Sequence, residues 1–388
     1  MSAPTAATRC VSVLPCSSEN QYRVQLLADL FTAYYMARKN KRNTYSQMRF
    51  EENLSENLVG LFHDIVNRRY KVGRSMCFIV FSPVKREVFA AAFRDRVVHH
   101  LLYNYLVPFY EPRFIYDSYS CRVGKGTLFG VERLEHHIRS VSNNYTRECW
   151  VLKMDLKGYF MSIPRVVLLE KIVSFIGRRV PDDDPKWRVM RYLLERVLLN
   201  DPTQGCYRKG KLSDWDGLPP DKSLFTVPEG RGLPIGNLTS QLFSNVYLDS
   251  FDQYVKRVLK VRHYGRYVDD FYIVGQDRVQ LLACISPIRN FLDRDLGLKL
   301  HPKKIYLQRQ ERGVPFLGYI LKNGKRYFCS RGRKGMYRNL DATLTRQPDP
   351  YLIQATVKSY TGYLSHTTAP LPGILNVLYY PTWFSVHY

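Results

Sequence analysis

The sequence predicts an α+β fold, on three observations. Apolar residues recur at helical spacing in some segments of the 388-residue chain and alternate with a period of two in others. A strand, a tight turn and a second strand follow one another over residues 262–275, the pattern of an antiparallel hairpin. No repeat at solenoid periods and no low-complexity tract is present, which leaves one globular assembly of mixed elements.

With 45% hydrophobic residues the chain can bury a substantial core, and its length suggests two or three subdomains. Residues 21–62 read as helical, interrupted by the basic run Arg38-Lys39-Asn40-Lys41-Arg42. Residues 78–81 read as a short strand before Ser82-Pro83, and a helix over 95–107 is expected to end before Pro108. Between 150 and 155, Trp150, Leu152 and Met154 alternate with Val151, Lys153 and Asp155, the period of a strand. Ser162 and Pro164 then open a helix running through Ile176.

Residues 181–232 shift toward Pro, Gly and Asp, with a short helix near 187–199 and a loop over 210–224, so they are predicted to form an insertion. Over 237–260, Leu238, Leu242, Val246, Phe251, Val255 and Val258 fall on one face of a helix. After Phe316-Leu317-Gly318-Tyr319 come a basic stretch, 322–338, and a helix near 351–365, together predicted to be a small nucleic-acid-holding subdomain.

Lys and Arg number 58 against 34 Asp and Glu, a formal charge of +24 that points to an acidic partner and to salt-dependent contacts with phosphates. Aromatic residues make up 14% of the chain. Most fill the core, but some flank basic residues, as in Tyr34-Tyr35 before Arg38-Lys39 and Tyr327-Phe328 between Arg326 and Arg331, and suit stacking on unpaired bases. The eight cysteines include no CxxC pair, which excludes a zinc knuckle or a dense disulfide scaffold and points to reduced thiols. The N-terminal segment lacks the apolar core of a signal peptide, and no run of about 18 apolar residues follows. A cytoplasmic protein without a membrane partner is expected.

The chemistry is concentrated in Arg266-Tyr267-Val268-Asp269-Asp270-Phe271-Tyr272-Ile273-Val274, two adjacent acids inside an otherwise aromatic and apolar hairpin. Adjacent carboxylates repel and tend to protonate unless a divalent cation reverses the local field. Tight hairpins favour Asn-Gly or Asp-Gly, so Asp-Asp is not explained by turn chemistry. A third acid, Asp155, ends a predicted strand that can lie beside this hairpin, and three carboxylates suit two hard cations such as Mg²⁺, with Mn²⁺ as a substitute. The pairs His99-His100 and His136-His137 lack zinc spacing and read as packing or surface residues.

Taken together, YVDD on the hairpin, MDLKGYF on the preceding strand and LPIGNLTSQ before a helix resemble the motifs of reverse transcriptases. The resemblance extends to REVFAAAFRDRVVHHLL, FIYDSYSCRVGKGT, FLGY and SYTGYLSH, and covers about residues 20–366. It implies a right-hand polymerase: an N-terminal extension and fingers over 1–145, palm over 146–180 and 233–321 built of antiparallel sheet plus helices, the insertion 181–232, and a small helical thumb and tail over 322–388. It implies Asp155, Asp269 and Asp270 as catalytic metal ligands, one ion serving the primer 3′-hydroxyl and one the leaving pyrophosphate, with the Leu156 carbonyl as a further ligand. Around the nucleotide it implies Lys85, Arg86, Phe160, Ile235, Gly236 and one of Lys303 and Lys304. Phe160 would exclude a 2′-hydroxyl.

Within that superfamily GLPIGNLTSQ is similar to the enzymes of diversity-generating retroelements, whereas most retroviral and group II intron enzymes carry Gln where this chain has Ile235. A Gln can hydrogen-bond the incoming nucleotide and Ile235 offers only apolar contact, so a check worth about 1–3 kcal/mol is missing and low fidelity is expected, with Arg86 and Ile235 as its determinants. The resemblance further implies errors at template adenines (mutagenic retrohoming), a structured template RNA, dNTPs, a cDNA product, an oligomeric helical-bundle accessory variability determinant, and a bacterial or phage origin. Arg38, Lys39, Lys41, Arg42, Arg331, Arg333 and Lys334 are the RNA-binding candidates. The alternatives are a group II intron, retron or CRISPR-associated reverse transcriptase of ordinary fidelity, expected to carry extra domains, and a non-catalytic RNA-binding scaffold.

Overall fold

The computed structural model describes residues 18–39, 43–82, 84–345 and 350–368. It begins with helices α1 (Ser18–Arg38), α2 (Tyr45–Glu51) and α3 (Leu54–Val66), so the helical stretch expected over 21–62 is three helices, with a second break at residues 52–53. Strands β1 (Met76–Val80) and β2 (Arg86–Ala90) form an antiparallel hairpin, followed by helices α4 (Phe93–Tyr110) and α5 (Thr127–Val141). Then come β3 (Trp150–Asp155), α6 (Tyr159–Ser162), α7 (Arg165–Gly177), α8 (Pro185–Leu198) and the two-residue β4 (Tyr207–Arg208). Helix α9 (Leu238–Gln253) leads into β5 (Tyr264–Tyr267) and β6 (Asp270–Gly275), then α10 (Arg278–Ala283), α11 (Ile285–Leu296) and β7 (Tyr306–Arg309). Strands β8 (Val314–Phe316), β9 (Tyr319–Lys322) and β10 (Lys325–Phe328) and helices α12 (Ser330–Thr345) and α13 (Pro350–Leu364) complete the described chain.

The centre is an antiparallel sheet of order β5-β6-β3-β7. Its strands alternate, yet both faces are covered. Leu152, Met154, Phe271 and Ile273 join the large core with α4, α7, α9 and α11, while Val151, Tyr272 and Val274 pack with Val131, Leu134 and Ile138 of α5 and with Phe316 and Tyr319. Double-sided burial explains why β6 reads as a nearly continuous apolar run after its acid.

Three sequence expectations are corrected. Helix α4 does not stop before Pro108 but contains it in its last turn, where the only donor lost is the proline's own. Helix α9 is buried nearly all round, including Thr239, Ser240, Asn245 and Asp252, because it is packed between the sheet, α4 and α7. Val258 leaves that apolar face: a π-helical turn, Tyr254–Val258, rephases the chain and exposes it. The C-terminal sheet β10-β9-β8 was not anticipated.

Residues 181–232 are built into the fold. Trp187 of α8 is fully buried, β4 pairs in parallel with β1, and the N–H or O–H groups of Trp215, Ser223 and Leu224 donate to the buried Glu87 carboxylate at 2.7–2.8 Å. Further on, the N–H groups of Gly232 and Leu233 donate to the carbonyls of Ile163 and Phe160, which joins this segment to the end of α6. Among the described residues no helix is long and apolar enough to cross a membrane.

His99 lies buried on α4 with Nδ1 2.8 Å from Thr239 Oγ1, and burial, aided by His100 and Arg96, lowers its pKa to about 4. The unfolded chain therefore takes up this proton before the native one does. Stability should be complete above pH 6.5 and fall as pH drops toward 4, by on the order of 3 kcal/mol at most from this residue. His99→Gln should flatten that part of a urea-unfolding profile between pH 7 and 4.5; an unchanged slope would show that the histidine is not held neutral.

Candidate active site

β3 ends at Asp155 and β6 begins at Asp270, and the strand register sets these two acids directly opposite each other. Asp269 sits in the turn closed by the pair Tyr267 and Asp270. The turn residue before it, Val268, has φ +57°, a conformation that costs a β-branched residue on the order of 1–3 kcal/mol. Beyond Asp155 the chain turns at Gly158, in the left-handed region at φ +54°, where a Cβ would lie 2.9 Å from the Asp221 carbonyl oxygen.

Like charges facing each other across strands are destabilising. Burial, then repulsion from Asp155 and Asp270, pushes the Asp269 carboxyl up to about 6. Burial also raises that of Asp270, against the pull of Lys153. Lys153 Nζ lies 3.4 Å from Asp270 Oδ2 and donates to the Pro315 carbonyl at 2.8 Å; Lys304 Nζ lies 2.9 Å from Asp155 Oδ2. Lys304 reaches that place because a bridge between Leu156 and Leu300, with the His301 N–H donating to the Asp155 carbonyl at 2.8 Å, lays residues 299–304 along the end of β3. Three carboxylates against two ammonium groups leave a net negative edge.

That edge fits a divalent cation by donor chemistry: oxygen ligands only, and anionic. Among the described residues no three His, Cys, Asp or Glu side chains already converge as a cage. Of the two lysines expected near the leaving pyrophosphate the structure sets Lys304 beside Asp155, and it adds Lys153, to which the sequence assigned no role, beside Asp270. An oxygen-rich edge of this kind suits Mg²⁺, which keeps water and phosphate oxygens in its shell.

The remaining predicted residues divide. Phe160 is half-buried beside Tyr159, ring centroids 5.5 Å apart, at the junction with residue 233. The Ile235 carbonyl accepts from the Phe89 N–H at 2.8 Å, and its side chain packs on the small cluster of Cys77, Phe89, Met161 and Leu224. Gly236, at φ +122°, lets the chain pass the Phe89 carbonyl, which a Cβ would approach to 2.6 Å. Leu156 is buried in the core. Arg86 is exposed at the start of β2, whereas Lys85 donates to the Asp216 carbonyl at 2.6 Å.

Lys303 is exposed and its N–H donates to His301 Nδ1 at 3.2 Å, so it is Lys304 that faces the acids. Among the RNA-binding candidates, Arg38 is engaged with Glu51 at 2.6 Å; Lys39, Arg331, Arg333 and Lys334 are exposed; Lys41 and Arg42 lie outside the described residues. Within the basic stretch Arg326 is buried and paired with Glu135 at 2.8 Å, so it is not available to a phosphate. Sequence reasoning assigned no role to Lys153 or Arg266; the available signal was a cation at a strand position beside the acids.

The family described as reverse transcriptase (RNA-dependent DNA polymerase) matches residues 86–321, a segment that contains all three aspartates. Protein YkfC of Escherichia coli (strain K12) is 26% identical over 275 residues, which cover 61% of this chain and 63% of that protein. Nuclear intron maturase 2, mitochondrial, of Arabidopsis thaliana is 26% identical over 244 residues, 53% of this chain and 31% of the maturase. The chain thus spans less than two thirds of the length of these relatives. An apo telomerase structure from Candida tropicalis, truncated from its C-terminal domain, superposes with a TM-score of 0.46 at 12% identity, over 66% of this chain and 55% of that one.

Proposed function

The chain belongs to the reverse transcriptase family, and from that premise we propose that it copies an RNA template into cDNA with dNTPs, as the polymerase of a diversity-generating retroelement. The observation that carries the polymerase reading is the edge shared by Asp155, Asp269 and Asp270, faced by Lys304 and Lys153. The mixed architecture is that of a right-hand polymerase. In this reading the four-stranded sheet with α7, α9 and α11 is the palm, the β1–β2 hairpin and the helices before it belong to the fingers, and α12 with α13 is the thumb.

The carboxylates of Asp155, Asp269 and Asp270 and the Leu156 carbonyl would hold a pair of Mg²⁺ ions, which when bound would supply electrostatic stabilisation of the charge that develops in phosphoryl transfer. Around them the chain's own groups act on the substrate. Phe160 crowds the 2′ side of the sugar, Arg86 meets the triphosphate, and Lys304, already beside Asp155, is placed to meet the negative charge of the leaving group. Ile235 meets the nucleotide without a hydrogen bond, which supports relaxed selection of the incoming base; that the errors fall at template adenines is what the resemblance to retroelement enzymes implies. A structured RNA and an oligomeric basic accessory protein complete the proposed assembly, with exposed Arg331, Arg333 and Lys334 of α12 among the RNA contacts.

A second reading, an intron-type enzyme of ordinary fidelity, is favoured by the maturase among the relatives. One experiment separates them: Mg²⁺-dependent extension of a DNA primer on an RNA template, with and without the accessory protein, followed by sequencing of the cDNA. Extension with errors clustered at template adenines is the expected result. Accurate cDNA would favour the intron-type reading, and no extension under either condition would leave an RNA-binding scaffold.

A further inference from the structure

Arg266 on β5 is fully buried, as is its ion-pair partner Asp252 of α9, with Nη2 to Oδ2 at 2.6 Å. Its Nε donates to Asp252 Oδ1 at 2.8 Å, its Nη2 also to Ser118 Oγ at 3.3 Å, and its Nη1 to Asn245 Oδ1 at 3.2 Å and to the Val268 carbonyl at 2.8 Å. A guanidinium has five N–H groups, and all five are used. Tyr264 donates to Asp252 Oδ1 at 2.7 Å, and the Arg266 backbone is itself held, its N–H donating to the Asp117 carbonyl and its carbonyl accepting from the Tyr119 N–H.

Stability is a poor reason for such a pair, because burying two charges is offset only in part by their attraction and apolar residues of similar volume serve a core as well. The distinctive bond is the one to Val268. That carbonyl lies in the same rigid peptide plane as the N–H of Asp269, so whatever fixes its direction fixes the entry of the chain into Asp269. Val268 also holds an unfavourable positive φ, which persists only where surrounding bonds over-determine it. Arg266 supplies such a bond from inside the core.

We propose that Arg266, braced by Asp252, is a positioning residue that sets the turn carrying Asp269 into cation-binding geometry. The inference rests on the reading of Asp155, Asp269 and Asp270 as a metal-binding edge. It assigns a function to a side chain that touches neither nucleotide nor metal, and ties the turn to α9 and to the loop at residue 118.

The test uses the full chain in two forms, Arg266→Met with Asp252→Leu, which removes both charges and keeps the volume, and Arg266→Lys, which keeps the charge but not the fork. Three quantities are read: the melting temperature, Mn²⁺ affinity by electron paramagnetic resonance without nucleic acid, and single-turnover dNTP incorporation at saturating primer–template. The double variant should melt close to the wild type and yet bind Mn²⁺ at least about tenfold more weakly, as loss of a supporting contact does elsewhere. Its incorporation should slow by about a hundredfold, the effect of a small misplacement of reacting groups.

Arg266→Lys should fall between the two, and it decides the matter if the double variant does not fold. A folded variant with wild-type Mn²⁺ affinity and rate overturns the proposal while leaving the polymerase reading intact. A wild type that binds Mn²⁺ but incorporates nothing sinks the polymerase reading, and the Mn²⁺ comparison still judges Arg266. A wild type that binds no Mn²⁺ overturns the proposal together with its premise.

Discussion

Asp269→Asn should raise the melting temperature in EDTA by a few degrees while lowering dNTP incorporation by about a thousandfold or more, the scale on which removing a preorganised electrostatic group acts. The two effects have one cause. Asp269 is pushed up to about 6 by burial and by Asp155 and Asp270, so at pH 7 its ionised form opposes folding by about 1–3 kcal/mol. The sign follows from linkage: with the folded pKa above the unfolded one, the native state holds the proton more tightly, and the penalty grows as pH rises from about 4 through 6.

The gap in melting temperature between variant and wild type should therefore close below pH 4, and it should narrow or reverse when Mg²⁺ is added to the wild type. Adding Asp270→Asn should abolish what activity remains. Thermal scans with and without Mg²⁺, beside a primer-extension assay, read all of this. Incorporation by the double variant at the wild-type rate would sink the metal-edge reading outright.

Gly236→Ala should cost roughly 3 kcal/mol or more, since it combines a positive φ with a clash against main chain. The new Cβ would lie 2.6 Å from the Phe89 carbonyl oxygen and 2.9 Å from Val88 Cγ1, and neither β2 nor residues 235–237 can yield cheaply. The two segments are clamped: the Phe89 N–H donates to the Ile235 carbonyl at 2.8 Å and the Ala91 N–H to Asn237 Oδ1 at 3.3 Å. Separating them would move Arg86 and Ile235 apart, so dNTP affinity should fall with stability. Gly60→Ala on the exposed side of α3 is the control, because a Cβ there meets nothing within 4 Å and should stabilise the helix by up to about 1 kcal/mol. Urea midpoints of the two variants moving in opposite directions is the expected outcome; parallel shifts would mean that the backbone around Gly236 relaxes freely.

The three acids and the strand ends that carry them are legible in the chain's local pattern. Asp155 at the end of an alternating strand and Asp269-Asp270 between two strand-forming runs are features of a few consecutive residues, legible from the period of a strand, and the structure has the strand end and the hairpin as read. Tertiary structure alone decided which groups face those acids. Lys304 rather than Lys303 meets Asp155 across 149 positions of chain, because residues 299–304 register against 155–157 through backbone bonds that no local pattern encodes. Trp215, Ser223 and Leu224, within the segment 181–232 read as an insertion, are held by Glu87 more than 120 positions away, and Arg326, within the basic stretch 322–338, is paired with Glu135. A charged side chain looks the same in sequence whether it is solvated or paired; only the folded register chooses its partner, and at this edge that choice sets the balance of charge around Asp269.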